Sequence, residues 1–333
     1  LDLPDPGAAA VLGCRPTWLT GLEMGVNDHG VAVGNEKTWT TDRVHRAPDA
    51  LLGMDLVRIA LERGTDADSA LDALASALEL HGQGGNGEFE HPEAYCSSFL
   101  IVDGTGGWHV ETRGRSWAAA PIRSTVAISN RVSLRTEWTR SSADVEPGTD
   151  VDSWRHPGVD PAIADVRLAV TRARLGATTD PDPSDLVSML RDHAGSAWGR
   201  PGARDGVPIP GDPGPDFARL SVCMHLAGVS TTTASLIAFL PADRSGTIRV
   251  WCAIGAPCAS VFVPIDPTDP PALLADPATA QRFRALRERV EASPTDLATV
   301  RAVLAPVEAE LWAAGPAVDP TPLLEDALHA LGV

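Results

Sequence analysis

Residues 22 to 36 predict a β-hairpin, and this feature limits most strongly which folds the chain can adopt. Two runs with alternating apolar residues, LEMGV and VAVGNE, flank the turn residues Asn27, Asp28, His29 and Gly30. Asn, Asp and Gly favour tight turns, and two strands joined by such a turn run antiparallel. The hairpin therefore favours a sheet of antiparallel strands over alternating parallel β-α-β units.

Helical and strand patterns follow in separate blocks. Helical periodicity predicts helices at residues 49 to 63 and at about 67 to 80. A second hairpin is predicted from CSSFLIVD and WHVETRG, with further strands at 115 to 120 and 125 to 131. Two adjacent helices with a short connection are expected to cover one face of the sheet.

Helices and strands are also predicted in separate blocks in the second half of the chain. Helices are predicted from Asp160 to about residue 175 and from an N-terminal cap at Ser184. Four strand patterns between residues 218 and 265 predict an antiparallel meander, and the chain from about 270 onward is predicted to be helical. The order of elements is typical of an α+β protein with antiparallel sheets between helical layers.

Composition and charge exclude several classes of partner. The formal net charge is −17 and there is no cluster of Lys or Arg, so nucleic acid is not an expected partner. No apolar run reaches the length of about 20 residues that a membrane helix needs, so no membrane partner is expected. There is also no signal-peptide pattern at the start. We expect a cytoplasmic protein, and a homo-oligomer is an open alternative.

The cysteines and histidines give no metal or cofactor motif. The cysteines are Cys14, Cys96, Cys223, Cys252 and Cys258. Their wide spacing without a CxxC pair predicts neither a disulfide framework nor a zinc site, and His81, His91, His109 and His225 show no HxxxH or HExxH spacing. The loop GQGGNG lacks the Gly-Lys-Ser/Thr ending of a phosphate-binding loop. The sequence thus predicts no cofactor and no bound metal.

Several segments, taken together and in order, resemble the secernin-like cysteine dipeptidases, a branch of the N-terminal-nucleophile hydrolases. The segments are RPTWLTGLEMGVNDHGVAVGNE, LLGMDLVRIALERG, HGQGG, SFLIVDGTGGWHVET, AISNR, CMH, TTTASLIA and GAPCASVFVP, spanning residues 15 to 264. The resemblance implies a four-layer α-β-β-α sandwich of two antiparallel sheets over residues 1 to 266. Residues 267 to 333 would then form a helical extension packed on the same domain.

The resemblance also implies a reaction and two site residues. Members of this family cleave an amide bond with an N-terminal cysteine whose α-amine acts as the general base. Asn35, at the end of VAVGN, matches an asparagine that donates a hydrogen bond to the tetrahedral oxyanion. Asn130, in AISNR, matches a second active-site asparagine near the nucleophile. The expected substrate is a small peptide or an acylamide.

The attacking cysteine does not match any position in the printed sequence. In relatives it lies upstream of the segment that matches Arg15, together with an Asn-Ser-Asp-like stretch, whereas residues 1 to 13 contain neither. We therefore expect the nucleophile to lie outside the printed chain, and Cys14 to be a packing residue rather than a cysteine exposed by self-cleavage. Two alternatives stay open: a non-catalytic secernin-like scaffold or binding protein, and an acylamide hydrolase of the bile-salt hydrolase or penicillin acylase type.

Overall fold

The protein combines one large antiparallel sheet, two smaller sheets and seven α-helices in the residues that its computed structural model describes. These residues are 7–42, 50–89, 93–193, 220–226, 230–243, 246–293 and 295–333. The predicted mixture of helices and antiparallel strands is confirmed. The chain divides into two compact units: unit 1 comprises residues 1–164 and 240–248, and unit 2 comprises residues 165–239 and 249–333.

The sheet of unit 1 is a meander of seven strands, in which each strand pairs with the next one along the chain. The strands are β1 (Val11–Cys14), β2 (Met24–Asn27), β3 (Ala32–Thr38), β4 (Cys96–Asp103), β5 (Gly106–Arg113), β6 (Ser116–Pro121) and β7 (Arg140–Ser141). The predicted hairpins are β2–β3 and β4–β5. All neighbouring strands in this sheet are antiparallel.

Two helices cover one face of this sheet, as their apolar stripes predict. They are α1 (Gly53–Arg63) and α2 (Ala67–His81). Leucines of both helices, including Leu56 and Leu71, are fully buried and share a core with Phe99 and Ile101 of β4. Residues two apart along a strand point to the same face of the sheet, so these core residues identify the face that the helices cover. We call it the helical face.

Unit 2 contains two further small sheets and most of the helices. Its strands are β8 (His225–Leu226), β9 (Ser230–Thr231), β10 (Ala234–Phe239), β11 (Arg249–Ile254) and β12 (Val263–Ile265). Its helices are α3 (Ala162–Ala177, which begins just before the division at residue 165), α4 (Pro183–Leu190), α5 (Pro277–Ala292), α6 (Asp296–Ala314) and α7 (Thr321–Ala330). Strands β10, β11 and β12 form an antiparallel sheet, and β8 pairs with β9.

Two local predictions were wrong. The strand predicted at 125–131 is reduced to a single bridge between Ser129 and Arg131, because β7 occupies the place beside β6. Helix α4 is capped by Asp182 rather than by Ser184, since the Asp182 side chain accepts hydrogen bonds from two backbone N–H groups of the first turn. The division near residue 165 also differs from the expected domain end at 266, which stays a prediction.

No helix within the described ranges is both long and apolar enough to cross a membrane.

Candidate functional site

Asn35 lies on the helical face of the large sheet, at the start of helix α1. It sits directly opposite Phe99 in the β3–β4 pairing, and directly opposite partners project to the same face. Its Nδ2 lies 3.4 Å from the position that a Cβ would occupy on Gly53, the first residue of α1. A side chain at position 53 would collide with the Ser97 hydroxyl, so glycine is required for the helix to start this close to the sheet.

Three buried polar groups near this helix start have no hydrogen-bond partner among the described residues. They are the Nδ2 of Asn35, the Oγ of Ser97 and the Nε2 of Gln83. Gln83 is next to Ser97 because its Oε1 accepts a hydrogen bond of 2.6 Å from the Ser97 backbone N–H. We call Asn35, Ser97 and Gln83 the donor set. All three groups can donate, and each lacks an acceptor within the described structure.

Asn130, the second predicted site residue, is tied to the same strand. Its Nδ2 donates a hydrogen bond of 2.9 Å to the backbone carbonyl of Lys37, two residues after Asn35. The structure thus connects both asparagines to β3. Asn130 has the geometry of a positioning residue that holds the end of the strand, and its predicted proximity to a nucleophile stays a prediction.

A cluster of charged and aromatic side chains surrounds Lys37, two residues beyond Asn35 on β3. Lys37 forms ion pairs of 2.8 Å with Glu88 and 2.5 Å with Glu93, and its Nζ also lies over the ring of Tyr95. Trp39 donates a hydrogen bond of 2.7 Å to Glu93. Burial raises the pKa of Glu93, but hydrogen bonds from Lys37 and Trp39 outweigh it and leave that pKa below its ordinary value. Glu93 is therefore a carboxylate at neutral pH.

Glu23 is a further acidic residue whose backbone is hydrogen-bonded to Asn35. The backbone N–H of Asn35 donates a hydrogen bond of 3.2 Å to the backbone carbonyl of Glu23, the residue just before β2. Burial, and then repulsion by Glu88, raises the pKa of Glu23 above its ordinary value. Because Lys37 is already paired with Glu88 and Glu93, this end of the sheet has an excess of negative charge when Glu23 is ionised.

Replacing Glu23 with glutamine is expected to stabilise unit 1 at neutral pH. A carboxyl whose folded-state pKa is raised destabilises the folded protein above that pKa, and the penalty disappears once the pH falls below about 4, where the unfolded state is also protonated. The difference in melting temperature between E23Q and the parent protein, measured from pH 4 to pH 8, should therefore grow as the pH rises. A difference that is constant, or that shrinks, would contradict the assignment.

Cys14 has the environment of a packing residue. It lies on β1, and burial, with a smaller contribution from Glu23, raises the pKa of its thiol to about 11. The thiolate is the nucleophilic form of cysteine, so a thiol held in its protonated form at neutral pH is a poor attacking group.

A second grouping of reactive side chains lies in unit 2. His193, Cys223, His225 and Cys258 each place one nitrogen or sulfur atom so that all four atoms lie within 4.8 Å of one another. The His225 Nε2 is 3.4 Å from the Cys223 Sγ and 3.5 Å from the Cys258 Sγ. The spacing rules applied to the sequence missed this grouping, because its members come from three separate segments.

The charges of this second grouping are strongly coupled. Burial raises the pKa of the Cys223 thiol, but hydrogen bonds from Cys258, His193 and His225 outweigh it and bring that pKa well below its ordinary value. Burial lowers the pKa of His225, but hydrogen bonds with Cys223 and Glu291 outweigh it and raise that pKa. Burial and the neighbouring Cys223 raise the pKa of Cys258.

Comparison of the chain with known protein families finds no family that matches it. The two sites are therefore interpreted from their own chemistry.

Proposed function

We propose that this protein is a cysteine-type amide hydrolase, a dipeptidase in which the Asn35 side chain donates a hydrogen bond to the oxyanion of the tetrahedral intermediate. The proposal includes the four-layer α-β-β-α arrangement of the N-terminal-nucleophile hydrolases. An N-terminal cysteine is the proposed attacking group, and its own α-amine accepts the thiol proton. The amine then protonates the leaving amino group when the amide bond breaks.

The observation that carries the proposal is the unpaired amide of Asn35. A buried N–H group without an acceptor costs the folded protein about 1 to 3 kcal/mol, so native structures rarely keep one without a reason. The Nδ2 of Asn35 is shielded from solvent and has no acceptor in the described structure, although the residue as a whole is only half-buried. An oxyanion that forms only during the reaction would supply the missing acceptor.

The surroundings of Asn35 favour a transient negative charge. The N-terminus of helix α1 carries a partial positive charge and starts at Gly53, beside the Asn35 amide. The fully buried Ser97 adds a hydroxyl that also lacks a partner in this part of the structure. Several preorganised donors around one point stabilise a developing oxyanion. Each such donor lowers the activation free energy by about 3 to 4 kcal/mol.

The excess carboxylates next to Asn35 support a peptide with a free amino terminus as the substrate. The backbone of Glu23 is hydrogen-bonded to that of Asn35, and Glu23 is not among the carboxylates paired with Lys37. A substrate ammonium group beside Glu23 would neutralise its charge, whereas a neutral acyl group would not. This favours dipeptides over the acylamide substrates of bile-salt hydrolases and penicillin acylases.

The function is tested by assaying the complete gene product for dipeptide hydrolysis. The assay compares three kinds of substrate: dipeptides, the same dipeptides with acetylated amino groups, and acylamides such as penicillin V. We expect turnover of the free dipeptides only. The matched control is the same protein with its N-terminal cysteine replaced by alanine, which should be inactive. Turnover of the acylamides alone would support the acylamide alternative. No turnover of any substrate would contradict the proposal and favour a non-catalytic scaffold.

A further inference from the structure

We propose that His193, Cys223, His225 and Cys258 form a structural zinc site in unit 2. Two sulfur and two nitrogen ligands in a tetrahedron are a common set for structural zinc. The four residues come from the segment after helix α4, the segment that leads into β8, the first residue of β8 and the turn between β11 and β12. A metal at this point would connect all of them.

The distances between the ligand atoms agree with a tetrahedral zinc ion. With Zn–S bonds of about 2.3 Å and Zn–N bonds of about 2.0 Å, a tetrahedral angle separates sulfur from nitrogen by about 3.5 Å. The His225 Nε2 lies 3.4 Å from the Cys223 Sγ and 3.5 Å from the Cys258 Sγ. The imidazole nitrogen is therefore already at ligand spacing from both sulfurs, and His193 completes the set within 4.8 Å.

The far side of the His225 ring has the partner that metal-binding histidines usually have. Its Nδ1 lies 2.8 Å from the carboxylate of Glu291 on helix α5. A carboxylate at Nδ1 keeps the proton on that nitrogen, directs the lone pair of Nε2 toward the metal and increases its basicity. Arg287, one helical turn earlier, lies 3.6 Å from the same carboxylate and compensates its charge.

The turn that carries Cys258 is held in place by Arg191. Its guanidinium donates hydrogen bonds of 2.8 Å to the carbonyl of Pro257 and 3.1 Å to the carbonyl of Ser260, the residues on either side of Cys258 and Ala259. Arg301 donates a further hydrogen bond of 2.7 Å to the Ser260 carbonyl. A rigid backbone fixes the direction of the Cys258 side chain, which a structural metal site requires.

Charge balance also favours a bound dication. When zinc binds, both cysteines bind as thiolates and both histidines as neutral imidazoles, and the protons that these four groups carry are released to solvent. The two thiolates then cancel the charge of the metal. A neutral site suits this position, where both cysteines are at most 3% exposed and burying an uncompensated charge would be costly.

Two other uses of these residues fit the geometry less well. Cys223, His225 and Glu291 resemble a nucleophile, base and orienting carboxylate, but a nucleophile must be reached by substrate, and Cys223 is 2% exposed. A Cys223–Cys258 disulfide would not explain why His193 and His225 lie beside the two sulfurs, and the two cysteines are not joined in the structure. Zinc accounts for the two sulfurs and the two imidazoles together.

The test is the metal content of the complete chain, expressed in zinc-supplemented medium and purified without chelator. We expect about one zinc per chain, as for a single structural site. C258S and C223S should lose the metal, and C252S is the matched control, since Cys252 is also buried in unit 2 but is not part of the cluster. E291Q should bind zinc about 10- to 100-fold more weakly, because it removes the partner of His225.

Two further measurements on the unmodified protein keep the proposal testable if the variants fail to fold. Cobalt added to metal-free protein should give thiolate-to-cobalt charge-transfer bands and the strong visible bands of a tetrahedral site. A chelator should speed iodoacetamide labelling of Cys223 and Cys258 but not of Cys252. The proposal is overturned by protein that purifies without zinc and gives no tetrahedral cobalt spectrum, by a Cys223–Cys258 disulfide, or by labelling that the chelator does not change.

Discussion

Replacing Asn35 with alanine is expected to lower kcat for dipeptide hydrolysis by about 10²- to 10³-fold, the usual effect of removing one oxyanion donor. The same change should not destabilise the protein and should raise the free energy of unfolding by up to about 1 to 3 kcal/mol, because it removes a buried N–H group that has no hydrogen bond. KM should change little, since the donor acts on charge that develops only in the transition state. Steady-state kinetics and thermal unfolding of the complete gene product give both quantities.

Asn27 is the matched control for Asn35, because it lies on the same hairpin, is also an asparagine and is 1% exposed. Its Nδ2 donates to the carbonyls of Leu61 and Gly64 at 2.8 and 2.7 Å, and its Oδ1 accepts from the backbone N–H groups of His29 and Val31. Asn27→Ala should therefore cost about 2 to 4 kcal/mol in stability, because it leaves several buried groups unpaired.

The two asparagine variants should have opposite effects. N35A should be stable and nearly inactive, whereas N27A should be unstable and, at a temperature where it is folded, active. If N35A lost stability as N27A does, or kept activity within a few-fold of the parent protein, Asn35 would be a structural residue.

The second large effect is expected from replacing Glu308 with alanine. Glu308 lies on helix α6 and forms two hydrogen bonds with the Arg191 guanidinium, of 2.8 and 2.6 Å, and accepts a third from the backbone N–H of Phe262. Its side chain is only 13% exposed, and Arg301 lies 3.5 Å away. Removing the carboxylate leaves two largely buried guanidinium groups without their charge partner. Such a change typically costs about 3 to 5 kcal/mol.

Hydrogen exchange is the appropriate measurement for E308A because it reports on unit 2 separately from unit 1. Amides of β11 and α6 should lose protection, while those of β4 and β5 in unit 1 should keep theirs. Glu310→Ala is the control, since Glu310 is an exposed carboxylate on the same helix. Unchanged protection of β11 in E308A would mean that the Arg191–Glu308 pair is not what holds the Cys258 turn.

Local patterns in the sequence predicted much of unit 1. The β2–β3 hairpin, the β4–β5 hairpin and helices α1 and α2 follow from alternation, turn residues and apolar stripes, all of which are properties of neighbouring residues. The strand expected at 125–131 was wrong because its place in the sheet is taken by β7, which begins at residue 140. Pairing between distant segments is not encoded in the local pattern.

The candidate sites show the same difference between local patterns, which the sequence reveals, and contacts between distant segments, which it does not. Asn35 was predicted as a site residue from its match to an asparagine of the family that the sequence resembles, but its missing hydrogen-bond partner depends on how Gly53 and Ser97 approach it. The cluster around His225 could not be found by motif spacing, since Cys258 lies 33 residues away in sequence and His193 lies in another segment. A local signal was the pair Cys223 and His225, two residues apart, whose side chains would point to one side if the segment were extended.

The most direct test of the role of Asn35 is a crystal structure of the complete gene product with an amino acid aldehyde, whose aldehyde stands in place of the scissile carbonyl of a dipeptide. The attacking thiol converts such an aldehyde into a tetrahedral adduct whose oxygen occupies the position of the oxyanion. We predict that this oxygen lies about 2.7 to 3.1 Å from the Asn35 Nδ2, the distance expected for an oxyanion-hole donor. An adduct whose oxygen is bound by other groups, with the Asn35 amide still unpaired, would contradict the account.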